Sequence, residues 1–217
     1  SANEFLRTKA EGDALIMASR HEWIVLRPAL VFGAQAYGGT AILRAQASFP
    51  LIQFLVFPDS KIQTIAVSDL AAATVAAVEG QIVSGTVADL AEDRSRPLKT
   101  IVELLRAWQG FPEPKLTVNL PNFLLNPIAK IADFLGCLGW RSPLRSNALT
   151  VLKDGIIADG SIWKQSGQPL PDSFETTLQN IPCTVQERWF GRLYLLLPLA
   201  ITTLCLFWIA SGLIGLI

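Results

Sequence analysis

Histidine occurs once in this chain, at His21, and cysteine three times, at Cys137, Cys183 and Cys205. A single imidazole excludes a multi-histidine metal centre and argues against a histidine-based nucleophilic triad. Placed in the turn before a strand, His21 reads as an ordinary polar residue. The cysteines are far apart and lack metal-ligand spacing, and one sits in a long apolar run. No disulfide framework is expected, and a reducing compartment is. An excess of one charge is missing too: 18 basic and 18 acidic residues balance in 217, so nothing in the net charge argues for nucleic acid. No signal peptide opens the chain, because Ser1 to Arg20 is charged and helix-like. Internal repeats and low-complexity segments are absent.

Charge itself disappears after Arg192. The 25 residues Leu193 to Ile217 carry none, and as a helix they would span roughly 37 Å against a hydrocarbon core of ~30 Å. A transmembrane helix is expected there. Trp189, Phe190 and Tyr194 crowd its start like an interfacial aromatic belt, with Arg188 and Arg192 on the wet side, which favours a cytoplasmic amino-terminal part. Ser211 and Gly215 form a small-xxx-small pair that could meet another membrane helix or face lipid. Membrane lipid and other membrane helices are the expected partners; nucleic acid and metal are not. The chain starts within a helical pattern and stops without a polar flank, so it is expected to be an interior fragment of a longer protein.

Ahead of the apolar tail, helices and strands alternate. Residues 1–19 read as a helix with Leu6, Ala10, Ala14 and Met17 on one apolar stripe. Glu22 to Leu26 reads as a strand, buried from Trp23 onward and running out into an Arg-Pro loop. A Gly-rich loop, Gly33 to Gly39, leads into a short helix, Gly39 to Ser48. Ile62 to Val67 alternates like a strand. Ser68 or Asp69 is placed to cap an Ala-rich helix, Leu70 to Glu79, ending at Gly80. Gly85 to Leu90 is a further strand, and Pro97 opens a helix through Trp108 with Thr100 and Glu103 in capping-box spacing. After Gly110, prolines at 112, 114, 121 and 127 punctuate short helices, notably Asn122 to Leu138, and Asp172 to Gln179 follows Pro171. The alternation predicts an α/β sandwich. The division expected is 1–110 for the α/β part, 111–187 for a small, mostly helical lobe, and 188–217 for the membrane helix.

The chemistry concentrates near the amino terminus. Phe5 and Lys9 stand four residues apart, hence on one helix face. Arg27-Pro28-Ala29-Leu30-Val31-Phe32-Gly33 begins 18 residues after Lys9. Ligands of open α/β sheets bind at the carboxyl ends of strands, so a helix-borne Lys9 beside that loop is a candidate cofactor contact; a solvated helix lysine is the alternative. Arg27 is better suited to pair with a carboxylate or cap carbonyls than to touch a substrate. Tyr37 and Arg44 follow the loop as candidate substrate contacts, or as plain surface residues. Gly38-Gly39 would permit a mobile lid but does not require one. Asp69 is explained by helix capping as well as by function.

Taken in order, aromatic-x-x-x-Lys (Phe5 to Lys9), Arg-Pro-x-x-Val-aromatic-Gly (Arg27 to Gly33) and Val-x-Asp-Leu-Ala (Val67 to Ala71) resemble the second half of an extended or atypical short-chain dehydrogenase/reductase, over about residues 1–185. The tail from Thr184 resembles the first helix of a DoxX-like membrane extension. The resemblance implies the second half of a Rossmann-type doubly wound sheet that binds NAD or NADP, with Lys9 on the nicotinamide ribose and Pro28, Ala29, Leu30 and Val31 lying against the nicotinamide through their backbone. It implies that the phosphate-binding glycine loop belongs upstream of Ser1. It also implies a catalytic tyrosine at position 5, whose phenol, with an ordinary pKa of about 10, a nearby ammonium would help ionise. Phe5 keeps the ring and lacks the proton. Two functions are therefore expected: an NAD(P)-dependent oxidoreductase in the bacterial inner membrane with its soluble part in the cytoplasm, or a catalytically silent cofactor-binding subunit like the accessory nucleotide-binding subunit of respiratory complex I.

Overall fold

The structure is a computed structural model that describes residues 4–121, 123–125, 127, 129, 130, 133, 146–194 and 196–215. Cys137 and most of the expected helix Asn122 to Leu138 lie outside the described residues. Helix α1 (Glu4–Met17) is followed by β1 (Ile24–Pro28), β2 (Leu30–Phe32), α2 (Gly38–Ala47), β3 (Ile52–Leu55), β4 (Lys61–Ile62), β5 (Thr64–Ala66), α3 (Val67–Val78), β6 (Thr86–Leu90), β7 (Arg96–Pro97), α4 (Leu98–Trp108) and β8 (Leu116–Asn119). Helices α5 (Ser146–Asp154), α6 (Ser161–Gln165), α7 (Phe174–Asn180), α8 (Val185–Leu193) and α9 (Leu196–Ile214) complete the described chain.

Three strand pairs are parallel: β1 with β6, β2 with β5 and β3 with β8. Among the described residues, β4 and β7 form the antiparallel pair. The segment expected to be one strand and a loop is two strands that change partner at Ala29. Its N–H donates to Leu90 O (2.9 Å), and the next N–H, of Leu30, donates to Gln63 O (3.2 Å). Arg27 and Pro28 thus stand inside β1, opposite Asp89 and Leu90, rather than in a loop. The expected burial is also reduced, because only Val25 of β1 is fully buried. The single expected strand Ile62 to Val67 is likewise split at Gln63, whose side chain donates to Glu92 O (2.7 Å) and accepts from the Ala158 N–H (2.8 Å).

Two apolar clusters result. One gathers Phe32, Leu55, Ile62 and Phe174 against α4, which offers Leu98, Ile101, Val102 and Leu105 at helical spacing. The other packs Ile65, Ala73, Ala76, Leu90 and Trp163 around α3. Small alanines let α3 lie close to β5 and β1, a packing that a larger side chain would prevent. Its carboxyl end turns at Gly80, φ +74°, the left-handed conformation that glycine takes without a Cβ clash.

Several local expectations are corrected. The N-cap of α3 is Ala66, with no side-chain cap; Asp69 falls in the first turn and accepts from the Asp172 N–H at 2.8 Å, so it ties down the loop before α7. Pro97 is the N-cap of α4, again without a side-chain cap. That places Thr100 and Glu103 inside the helix, where Glu103 meets Lys99 at 3.7 Å. The apolar stripe of α1 is exposed at Leu6, Ala10, Ala14 and Met17, whereas Gly12 and Asp13 are half-buried.

The charge-free tail is not one described helix: α8 ends at Leu193 and α9 begins at Leu196. Helix α9 has 19 residues, about 28 Å. Among the described residues no helix is long and apolar enough to cross a membrane, so the expected 25-residue span is not borne out there. Arg188 and Arg192 are both exposed. Both guanidiniums stand over the Phe111 ring, at 5.4 and 4.5 Å from its centroid.

Candidate functional site

Helix α1 reaches the strand end through one ion pair. The Nε and Nη2 of Arg27 each stand 2.8 Å from Asp13 Oδ2, which is the carboxylate partnership anticipated for Arg27. The pair is partly exposed, so it contributes about 0–1 kcal/mol and serves mainly to fix register. Lys9 is exposed and lies one turn before Asp13, on the helix face turned toward that pair. Pro28 is exposed, and Ala29, Leu30 and Val31 are half-buried. Leu30 packs on the α4 cluster and Val31 on the α3 cluster.

The second and third sequence motifs touch. Phe32 and Ala66 are register partners in the β2–β5 pair. One residue on, a Cβ added to Gly33 would come within 2.7 Å of Val67 Cγ2. Glycine is needed at 33 because the start of α3 occupies the space of a side chain. These contacts join residues more than thirty positions apart in the chain, as the order of the motifs alone does not.

Arg44, expected as a substrate contact or a plain surface residue, is completely buried. Its guanidinium donates to Gly33 O (2.5 Å), Ala34 O (3.2 Å) and Glu187 Oε2 (2.8 Å), and it stacks on Phe32 and Trp108 at 4.4 and 5.2 Å. A long amphipathic side chain can be sunk where both ends of its fork are met and the stem packs, although Arg44 Nε finds no partner among the described residues. Arg44 therefore clamps the loop after Gly33 to α8. Burial lowers its pKa and raises that of Glu187; the attraction between them opposes both shifts only in part. Tyr37 is the N-cap of α2 and is 88% exposed. Its backbone N–H donates to the Thr40 hydroxyl (3.4 Å), which in turn donates to Tyr37 O (2.8 Å). Tyr37 and Arg44 are thus not brought together. Gly38, φ +54°, opens α2 directly, so Gly38 and Gly39 belong to a helix and not to a lid.

Sequence reasoning missed a second charged cluster. Glu92 is buried at the end of the β6 segment and accepts from the Thr64 N–H (3.2 Å), the Thr64 hydroxyl (2.7 Å) and the Phe174 N–H (3.0 Å). Arg96 bridges Glu92 and Glu175. The linear signal is weak: an acid directly after Leu90-Ala91, within Glu92-Asp93-Arg94, a charge run that ordinarily faces water. Two cavities adjoin this region. One of about 360 Å³ lies between α3 and Trp163, edged by Asp69, Glu79 and Gln81. The other, of about 380 Å³, lies over Glu92, Arg96 and Glu175. Neither is lined by Lys9, Pro28 to Val31, Tyr37 or Arg44. Among the described residues no three acidic, histidine or cysteine side chains are grouped to hold a metal ion.

No family model and no curated protein matches the chain. Solved structures do. A UDP-glucose 4-epimerase of Thermotoga maritima, solved with UDP-glucose, superposes with TM-score 0.52 at 18% identity, over 84% of this chain and 50% of that one. The fold is Rossmann-like α/β. An enzyme of Bordetella bronchiseptica in complex with NAD and UDP gives 0.52 at 16% identity, over 83% of this chain and 49% of that one. A nucleoside-diphosphate-sugar epimerase of Staphylococcus aureus gives 0.51 at 17%, over 78% and 56%. The chain thus spans about half the length of the structures it matches. Such low identities speak for the fold and leave the chemistry to the residues.

Proposed function

We propose that this chain is the second half of an NAD(P)-binding protein of the short-chain dehydrogenase/reductase type, held at a membrane by its apolar tail. The observation that carries the reading is the meeting of Arg27 to Gly33 with Val67 to Ala71, at Phe32 opposite Ala66 and Gly33 against Val67, with α1 and its Lys9 tied to the same strand through Asp13 and Arg27. Similar solved structures include one holding NAD and UDP, which supports a dinucleotide. In this reading Lys9 donates to ribose hydroxyls, Pro28 to Val31 form a wall for the nicotinamide, and the cofactor when bound supplies a hydride for a carbonyl carbon. Phe5 cannot give the proton that the carbonyl oxygen then needs, so a group outside this chain supplies it. That same lack of a hydroxyl favours the second reading, a subunit that binds the dinucleotide without turnover.

The membrane part of the proposal rests on the tail. Every described side chain of α9 is exposed, and the helix has no charged residue and no polar face toward water, a pattern suited to lipid or to a protein partner. A cytoplasmic position for the α/β part accords with Arg188 and Arg192 preceding the apolar run.

Calorimetry on the whole protein with NADH and NADPH tests the binding site. Lys9→Met should weaken dinucleotide affinity about tenfold, the worth of a charge-assisted hydrogen bond; an unchanged affinity removes Lys9 from the site. Oxidation of reduced cofactor with carbonyl or quinone substrates separates the two readings. Brisk turnover by the parent excludes the silent subunit, and turnover gained in Phe5→Tyr alone shows a site that kept its geometry and lost its acid.

A further inference from the structure

Three arginines converge where α4 ends and α8 begins its last two turns. Arg106, buried in α4, donates to the carbonyl oxygens of Pro112 (2.6 Å), Ala47 and Phe49 (2.8 Å each). Arg188 donates to Gln109 O (2.6 Å) and Gly110 O (2.8 Å). It settles so closely on Gly110 that a Cβ there would stand 2.6 Å from its Nη2. Arg192, one turn on, is exposed and makes no hydrogen bond or ion pair among the described residues, only its stack on Phe111. Among the described residues none of the three meets a carboxylate. Glu113, adjacent to Pro112, makes no ion pair, and Glu187 is engaged by Arg44. The charges feel one another: burial lowers the pKa of Arg106, and the nearby Arg192 lowers it further. A helix carboxyl end favours a cation, which accounts for one arginine and not for two over a single ring.

Two of them, Arg188 and Arg192, line a cavity of about 370 Å³ with Gly110, Phe111, Pro112 and Trp189. We infer that this cavity is a binding site for a phosphate oxyanion, taken by the free donors of Arg188 and Arg192 with Trp189 as its apolar wall. Guanidinium forks match phosphate oxygens in geometry, and an anion relieves the repulsion that the bare cluster carries. The site is separate from the dinucleotide reading and does not depend on it. Two sources present the same chemistry: the headgroup of an anionic lipid, reachable because α9 leaves directly from this corner, and phosphate free in solution.

The full chain is offered vesicles of phosphatidylcholine alone and of phosphatidylcholine with phosphatidylglycerol, and separately inorganic phosphate in calorimetry. Arg192→Gln is the main variant, because Arg192 makes no hydrogen bond that folding needs. It should reduce affinity for the anionic vesicles about fivefold, the usual worth of one basic residue at a charged surface. Phe111→Ala, which keeps every charge and removes the platform, should also weaken binding, while Lys153→Gln on α5 should not. Vesicle binding sensitive to Arg192 with no heat from inorganic phosphate assigns the site to lipid; heat from inorganic phosphate lost in Arg192→Gln assigns it to the free ion. The inference is overturned if Arg192→Gln matches the parent in both arms, or if Lys153→Gln loses as much as Arg192→Gln while Phe111→Ala loses nothing.

Discussion

Arg44 and Glu187 are 143 positions apart and share a buried ion pair, the sort of contact whose desolvation can outweigh its attraction. Burial holds the Glu187 carboxyl above the ordinary 4.5 even beside a guanidinium. A carboxyl with a folded-state pKa above its unfolded one contributes stability that is complete below the unfolded value and is lost as pH rises through the folded one. Glu187→Gln, which cannot ionise, should therefore flatten the fall of stability above pH 4.5, read as urea midpoints across a pH series. A variant with the parent's slope would mean that Glu187 carries no such shift, and a steeper fall in the variant would show the pair to be a net stabiliser. Arg44 itself shows why single residues mislead in a sequence: a charged side chain in a short helix reads as surface. Its burial is decided by Phe32, Trp108 and Glu187, which come from three distant segments.

Among the elements, α4 is the one whose sequence and packing agree most fully. Leu98, Ile101, Val102 and Leu105 recur at helical spacing and are all buried, while Lys99 and Glu103 lie outside them, half-exposed. Leu105→Ala should cost about 2–5 kcal/mol, transfer plus cavity, measured by urea unfolding with an unchanged m-value; a loss below about 1 kcal/mol would mean that the site collapses freely. The strands were less legible. β3 and β8 pair in register from Ile52 with Leu116, yet β8 is mostly exposed and so carries no clean alternation to read. The split of β1 from β2 was hidden for another reason: Ala29 looks like any strand residue, and only the arrival of β5 beside Leu30 makes the chain change partner. The start of α3 also escaped, since Ala66 caps it without a side-chain bond, leaving no Ser, Asp or Thr signal at the true boundary, whereas Pro97 marks the start of α4 to within one residue.

For the whole molecule, the proposed membrane attachment is decided at α9. Leu206→Arg places a charge at mid-helix, a change worth roughly 2.5–3.5 kcal/mol against insertion. The parent should stay in the membrane pellet after alkaline extraction and the variant should move to the supernatant; a parent that washes off would refute attachment by this helix. Sequence alone determined the alternation of strand and helix, the apolar face of α4, the glycine ending α3 and the charge-free tail. Each of these is a local pattern, set by period or by one residue's backbone preference. Tertiary structure alone decided that Gly33 must yield to Val67, that Arg44 is a clamp, that Glu92 is buried among donors, and that Arg188 and Arg192 share one ring. Those outcomes depend on which distant atoms fill the neighbouring space, and no linear spacing encodes that.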